Sequence, residues 1–179
     1  MAADASRKIL VVYYSLSGNT ARVAREIARL GQADIEALRD FDRDLPLSFF
    51  GYVKAAIDAL RSKPARLASV ACNPRDYALV VIGTPVWAGR MTPAIRAYLE
   101  RFKNDLGRVA FFVTTGNTKA SEVVLPMEGI VGHKAAAFVG FDAADLADQR
   151  ACNDRIAGFL RAVRETPEVA GVPVAVSVC

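Results

Sequence analysis

The sequence is poor in the residues from which most catalytic and metal sites are built. It contains one histidine and three cysteines, and the cysteines (Cys72, Cys152 and Cys179) lie far apart with no C-x-x-C pair. Such a set cannot build a typical zinc site, so we expect no metal. Sparse, unpaired thiols indicate a reduced protein of the cytoplasm. The patterns C-x5-R and G-x-S-x-G are also missing, which argues against a phosphatase or another hydrolase.

Long apolar runs and a strong charge of one sign are missing as well. No run approaches the length of a membrane-spanning helix. The first run merges directly into a periodic segment, so we expect it to be a strand rather than a signal peptide. The 23 basic and 19 acidic residues give a net charge of +4, spread along the chain. This does not predict a nucleic-acid surface. With 53% hydrophobic residues among 179, we predict one soluble domain over residues 1–179 that ends in a tail at 165–179.

What the sequence does contain is a regular alternation of short apolar runs and helical patterns. Four apolar runs predict strands covered on both faces, at residues 9–13, 78–83, 109–114 and 135–140. A fifth segment, 34–38, alternates in polarity like an edge strand. Helical stripes lie between them, including one in segment 47–67, a weaker one at 121–129 that contains Pro126, and one from Cys152 to Val163. The order predicts an α/β fold with a doubly wound parallel sheet of five strands.

The first loop, residues 15–20, has the sequence S-L-S-G-N-T and joins the first strand to the first helix without a charged residue. In a doubly wound sheet, ligands bind beyond the carboxyl ends of the strands. Backbone N–H groups, hydroxyls and the positive end of the helix dipole could hold a phosphate there. Gly18 would let the backbone approach closely. Taken alone, the loop is equally compatible with a plain Ser/Asn-rich turn.

Known phosphate-binding motifs do not fit this loop. A P-loop requires G-K-[ST], and the dinucleotide fingerprint requires G-x-G-x-x-G, whereas the first loop has one glycine and no lysine. Two further loops follow predicted strands on the same edge. The second loop, residues 84–93, is T-P-V-W-A-G-R-M-T-P and carries Trp87, the single tryptophan; the third loop, residues 115–119, is T-G-N-T-K. Together they predict a site for a phosphorylated planar cofactor.

The motifs S-x-S-G-N-T and G-T-P-V-W-A-G-R-M-T-P resemble those of flavodoxin-like proteins, which bind FMN noncovalently. The resemblance covers about residues 7–164 and implies the strand order 2-1-3-4-5. It implies that the FMN phosphate is held by Ser15, Ser17, Gly18, Asn19 and Thr20. It implies that the ring and ribityl chain are wrapped by Thr84, Pro85, Val86, Trp87, Ala88 and Gly89. On the other side, the resemblance implies that the ring is closed off by Thr115, Gly116 and Asn117.

The chain departs from electron-carrier flavodoxins in its charge. Those proteins are typically acidic, whereas this chain is basic, with Arg90 in the second loop and Lys119 in the third. Cations near the ring raise its reduction potential, so we expect a less reducing flavin. We expect no catalytic side chain, because the chemistry is borne by the flavin. Arg90 is the candidate contact for an anionic reductant or acceptor, and His133 is expected to be structural.

The resemblance implies either an electron carrier or an FMN-dependent oxidoreductase. An alternative is an NAD(P)H-dependent quinone or flavin reductase of the same fold, and a second is a non-enzymatic FMN-binding module. The expected partner is a redox protein or a small quinone or flavin acceptor. Segment 47–67 is equally compatible with a lid or partner surface and with a plain amphipathic cover. The apolar tail suits either the base of the domain or the interface of a homodimer.

Overall fold

The computed structural model describes residues 8–39 and 67–167. In these ranges the strands are β1 (Ile9–Tyr13), β2 (Asp34–Ala37), β3 (Leu79–Pro85), β4 (Val109–Thr114) and β5 (Phe138–Phe141). The helices are α1 (Asn19–Gly31), α2 (Pro93–Phe102), α3 (Ala120–Val131), α4 (Ala143–Ala147) and α5 (Gln149–Glu165). The strands form one sheet in the order β2-β1-β3-β4-β5 with every pair parallel. The predicted doubly wound sheet and its strand order are therefore confirmed.

Helices pack against both faces of the sheet. Every residue of β4 is buried. Successive side chains along a strand point to opposite faces of the sheet, and each face has its own hydrophobic cluster. Leu10 and Val12 pack with side chains of α2 and α3, whereas Val11 packs with those of α1 and α5. Each such side chain contributes about 1.5–3 kcal/mol when buried. The loops at the carboxyl ends of the strands are thus attached to a firmly packed base.

The space beside Gly83 in β3 is occupied by a side chain of β4. Gly83 lies opposite Phe112 in the sheet register, and a Cβ atom at this position would stand 1.9 Å from the Cζ atom of that ring. Phe112 is fully buried, so a shift of its ring would disturb the packing of the side chains around it. The strand therefore requires glycine here for steric reasons.

Some element boundaries differ from those predicted. Strand β3 continues two residues beyond the predicted end, because Thr84 and Pro85 still pair with β4. Strand β5 begins later, at Phe138, than the predicted 135–140. Helix α3 extends past both predicted ends and keeps Pro126 inside it, which is tolerated because that residue is exposed to solvent. The short helix α4, capped by Asp142, was not predicted.

Two of the predicted segments cannot be compared with the structure. Segment 47–67, apart from its last residue, and the tail beyond residue 167 lie outside the described residues. Within the ranges 8–39 and 67–167, no helix is both long and apolar enough to cross a membrane. The same ranges contain no group of three or more His, Cys, Asp or Glu side chains that could hold a metal ion.

Candidate functional site

The first, second and third loops meet at one edge of the sheet because β1, β3 and β4 are adjacent and parallel. The amide of Tyr14, just before the first loop, donates to the carbonyl of Gly83 at 3.2 Å. The amide of Val86 in the second loop donates to the carbonyl of Thr114, just before the third, at 2.8 Å. These bonds extend the ladder beyond the strands proper. The three loops are therefore brought together at the position where ligands bind in doubly wound folds.

Helix α1 begins in the first loop without a capping side chain. Its first flanking residue is Gly18, which has a φ of 90° in the left-handed region, a conformation that glycine adopts readily. The first turn of α1 contains no acidic residue. The N–H groups of a first helical turn have no partner within the helix and carry the positive end of its dipole. A bound anion would accept hydrogen bonds from these N–H groups and would interact favourably with the helix dipole.

The hydroxyl of Ser15 is a second group near the start of α1 that lacks a hydrogen-bond partner in the described part of the chain. Its Oγ atom is buried and has no hydrogen-bond partner among the described residues. Leaving a buried hydroxyl unpaired costs about 1–3 kcal/mol. A ligand oxygen at the start of α1 would remove that cost, so the donor set fits a phosphate group. Ser17 and Asn19, two further polar side chains of this loop, are exposed to solvent.

Thr20 points inward rather than into the open loop. Its side chain is 1% exposed, and its Oγ1 atom lies 2.7 Å from the Oγ1 atom of Thr114. The predicted phosphate residues therefore divide into two groups. Ser15, Ser17, Gly18 and Asn19 surround the opening of the loop, whereas Thr20 lies beneath it against the end of β4.

The second loop contains a tight turn from Trp87 to Arg90. The two residues exchange backbone hydrogen bonds of 2.9 and 3.0 Å, and the central residues Ala88 and Gly89 have φ angles of 47° and 76°. Positive φ at both central positions is the signature of a type I′ turn. Alanine in this region carries a strain of about 1–2 kcal/mol. The turn escaped sequence analysis because Asn or Gly, rather than Ala, normally marks its first central position.

The turn positions the Trp87 side chain against the first loop. The indole ring is half-buried and meets the ring of Tyr14 edge to face, with centroids 5.7 Å apart and planes at 85°. Such a contact is worth about 0.5–1.5 kcal/mol beyond the area it buries. Tyr14 is itself buried and was not among the predicted site residues. It orients the aromatic side chain that was predicted to shelter a flat ligand.

Thr84 joins the two ends of the second loop. Its Oγ1 atom accepts a hydrogen bond of 3.1 Å from the amide of Thr92 and donates one of 2.9 Å to the carbonyl of Pro85. The side chain is fully buried. The hydroxyl is therefore used within the loop, while Ala88 and Gly89 at the tip are exposed to solvent.

The third loop is held in shape by its own first residue. Thr115 Oγ1 donates to the carbonyl of Thr118 at 3.1 Å and accepts from the amide of the same residue at 3.0 Å. Gly116 and Asn117 remain exposed at the tip. On its outer side this loop borders an open cleft of about 530 Å³, which it shares with β5, α4 and α5. That cleft receives no side chain from the first two loops.

A comparison with known families decides the classification. The sequence profile described as flavodoxin matches residues 8–127, which are 120 of the 179 residues. The chain belongs to the flavodoxin family. A comparison with curated proteins found no match.

Solved structures of other flavoproteins share this flavodoxin fold. One is a flavoprotein in complex with FMN from Lactobacillus acidophilus NCFM, with 24% identity over 79% of this chain and 97% of that chain and a TM-score of 0.61. Another, from Bacteroides uniformis ATCC 8492, has 17% identity over 86% of this chain and 97% of that chain, with a TM-score of 0.67. A third, from Bacteroides eggerthii DSM 20697, has 21% identity, coverages of 84% and 98% and a TM-score of 0.61. At these identities the likeness shows the shared fold alone.

The charged side chains within the three flavodoxin loops differ from those of the neighbouring cleft, where Asp142 and Asp145 border the third loop. The first, second and third loops together contain Arg90 and Lys119 and no carboxylate, and both cations are exposed to solvent. Exposed cations at the rim of a site attract anions. His133 does not contribute, because its ring lies near the carbonyl of Leu106, before β4 and thus at the opposite edge of the sheet.

Two of the three cysteines, Cys72 and Cys152, lie in the described ranges of this flavodoxin, and neither is placed for nucleophilic chemistry. Cys152 is buried and Cys72 is partly buried. Burial raises the pKa of both thiols above its ordinary value. A raised pKa leaves little thiolate at neutral pH, and the thiolate is the reactive form. Neither thiol therefore competes with the three loops as a reactive centre.

Proposed function

We propose that the protein binds FMN noncovalently, with the phosphate at the start of α1 and the isoalloxazine ring between the second and third loops. The observation that carries this proposal is the combination of an uncapped helix start with the buried, unpaired hydroxyl of Ser15. The Lactobacillus acidophilus flavoprotein of the same fold is described in complex with FMN, which supports the choice of ligand.

Each group of residues would contribute a different part of the binding energy. The amides at the start of α1, with Ser15, Ser17 and Asn19, would hold the phosphate through charge-assisted hydrogen bonds. The second and third loops would cover the ring and exclude water from it, with Trp87 as one wall and Gly116 and Asn117 opposite. Bound FMN supplies the redox chemistry, since its isoalloxazine ring accepts and releases electrons.

Titration of the ligand-free protein tests the binding directly. We expect the fluorescence of FMN to be quenched when the protein binds it, and binding to release heat. FMN should bind more tightly than riboflavin, which lacks the phosphate. A loss of two or more hydrogen bonds to a charged group should separate the two ligands by at least about tenfold. Equal affinities for the two would place the phosphate elsewhere, and absence of any binding would refute the proposed function.

We propose further that the bound flavin transfers electrons to or from a partner protein or a small quinone or flavin. The exposed cations Arg90 and Lys119 support an anionic or acidic partner, because like charges at the rim would repel a basic one. A cytoplasmic location, expected from the sparse cysteines, forms part of the same proposal.

The flavin absorbance at about 450 nm distinguishes a carrier from a reductase. Under nitrogen, the reconstituted protein is mixed with NADH or NADPH, and with dithionite as the control for complete reduction. Rapid bleaching by a nicotinamide nucleotide would identify an NAD(P)H-dependent reductase. Bleaching by dithionite alone would favour a protein-to-protein carrier. If no protein or small-molecule acceptor then reoxidised the flavin, the non-enzymatic binding module would be the better description.

A further inference from the structure

Two threonine hydroxyls meet beneath the first loop, where α1 begins over the end of β4. The Oγ1 atoms of Thr20 and Thr114 lie 2.7 Å apart, the usual length of a well-formed O–H···O hydrogen bond. The residues are 1% and 7% exposed, respectively. Thr114 is not among the residues that the sequence motifs predict for the site.

The two hydroxyls together have one proton that can be donated to a ligand. Each hydroxyl carries one proton and can accept from other donors. One of the two protons occupies the bond between the oxygens, which leaves a single proton for an outside acceptor. The structure gives neither hydroxyl a second partner among the described residues. The remaining proton is therefore available, and the direction of the shared bond decides which residue presents it.

We propose that Thr114 is a positioning residue for phosphate recognition: it donates to Thr20 Oγ1 and so directs the Thr20 proton toward the phosphate of the bound nucleotide. This inference rests on the proposed function. Thr20 is the second residue of α1 and lies beside the uncapped amides, whereas Thr114 ends a strand below them. With one lone pair of its oxygen engaged from below, the Thr20 hydroxyl is held in the rotation that points its proton toward the anion.

The competing explanation is that the pair only fastens α1 to β4. A fastening role predicts equal effects of its loss on every ligand that occupies the site. An orienting role predicts an effect on the phosphate alone. The comparison of FMN with riboflavin, which differ only in that group, separates the two explanations.

The test measures both affinities for the ligand-free full chain and for three variants. In Thr114→Val, FMN affinity should fall about tenfold or more, as expected for a weakened hydrogen bond to a charged group. Riboflavin affinity should change by less than about twofold, within the range of a site that is otherwise intact. Thr114→Ser retains the hydroxyl and should restore most of the loss. Thr166→Val is the matched control, because its hydroxyl bonds to the carbonyls of Ala136 and Ala162 at the opposite edge of the sheet.

A double-mutant cycle tests whether Thr114 acts through Thr20. If it does, Thr20→Val with Thr114→Val should lose no more FMN affinity than Thr20→Val alone. Additive losses, or equal losses of FMN and riboflavin affinity in Thr114→Val, would overturn the inference while leaving FMN binding established. Should Thr114→Val not fold, Thr114→Cys provides the same comparison with a weak donor in a similar volume. A wild-type chain that bound neither ligand would overturn both the inference and the proposed function.

Discussion

Replacing Ser15 with alanine should change the stability of the ligand-free protein and its affinity for FMN in opposite directions. In the ligand-free protein the buried Oγ atom of Ser15 has no partner among the described residues. Removing a buried hydroxyl that makes no hydrogen bond removes its desolvation cost. From the range of about 1–3 kcal/mol for such a group, and allowing for lost packing, we expect the free energy of unfolding to rise by about 1 kcal/mol.

With FMN bound, the same substitution should be unfavourable. The hydroxyl would then donate to a phosphate oxygen, and a hydrogen bond to a charged group is worth about 1.5–3 kcal/mol. Its loss corresponds to a decrease in FMN affinity of about 10- to 150-fold. Riboflavin affinity should fall far less, because riboflavin presents no phosphate to the hydroxyl.

Urea unfolding of the ligand-free variant and fluorescence titration with both ligands are the assays. The urea concentration at the midpoint of unfolding should increase, while the dependence of the unfolding free energy on urea concentration stays the same. An unchanged dependence shows that the denatured state is not altered. Ser17→Ala is the control for stability, because Ser17 is exposed and its removal should alter unfolding by less than about 0.5 kcal/mol. A ligand-free Ser15→Ala protein less stable than the wild type would refute the reasoning, since the hydroxyl would then have a stabilising partner.

Three further predictions follow from the second loop and the sheet. Trp87→Ala should weaken FMN binding by removing one wall of the site, and undiminished affinity in a fluorescence titration would show that the indole serves packing alone. Ala88→Gly should raise the free energy of unfolding by about 1 kcal/mol, because glycine relieves the positive φ of 47°; an unchanged urea midpoint would mean that the turn is unstrained. Gly83→Ala should destabilise the fold by about 1–3 kcal/mol through overpacking. Its control is Gly158→Ala, in open space on α5, which should stabilise the fold by up to about 1 kcal/mol. Similar urea midpoints of unfolding for the two variants would contradict the steric argument.

The parts of the fold that followed from the sequence are those in which one local signal dominates. Strands β1 and β4 were predicted with correct ends, because each is a short, predominantly apolar run that begins directly after a basic residue. The end of β3 was missed, since a proline such as Pro85 argues against a continuing strand, and the pairing of Thr84 and Pro85 with β4 is not visible in the sequence. Helix α4, five residues long, is too short for hydrophobic periodicity to indicate it.

For the candidate site, the sequence located the loops but not the direction of their side chains. Thr84 and Thr20 belong to the predicted motifs, yet both side chains are buried, and their oxygens lie within hydrogen-bond distance of other threonines. Tyr14 and Thr114 were not predicted, because their importance arises from neighbours that are distant in the sequence. Motifs specify which residues lie at an edge, whereas the sheet register and the packing decide which of their atoms reach a ligand.

The hydrogen bonds between Thr84 and Thr92 have a consequence for engineering the second loop. Both ends of the second loop are fastened to each other by buried hydrogen bonds, so the residues between them form a cassette with fixed attachment points. A tip of different sequence or length could be exchanged there while the strands beneath keep their spacing. Specificity at the rim could accordingly be diversified in a library without redesign of the scaffold.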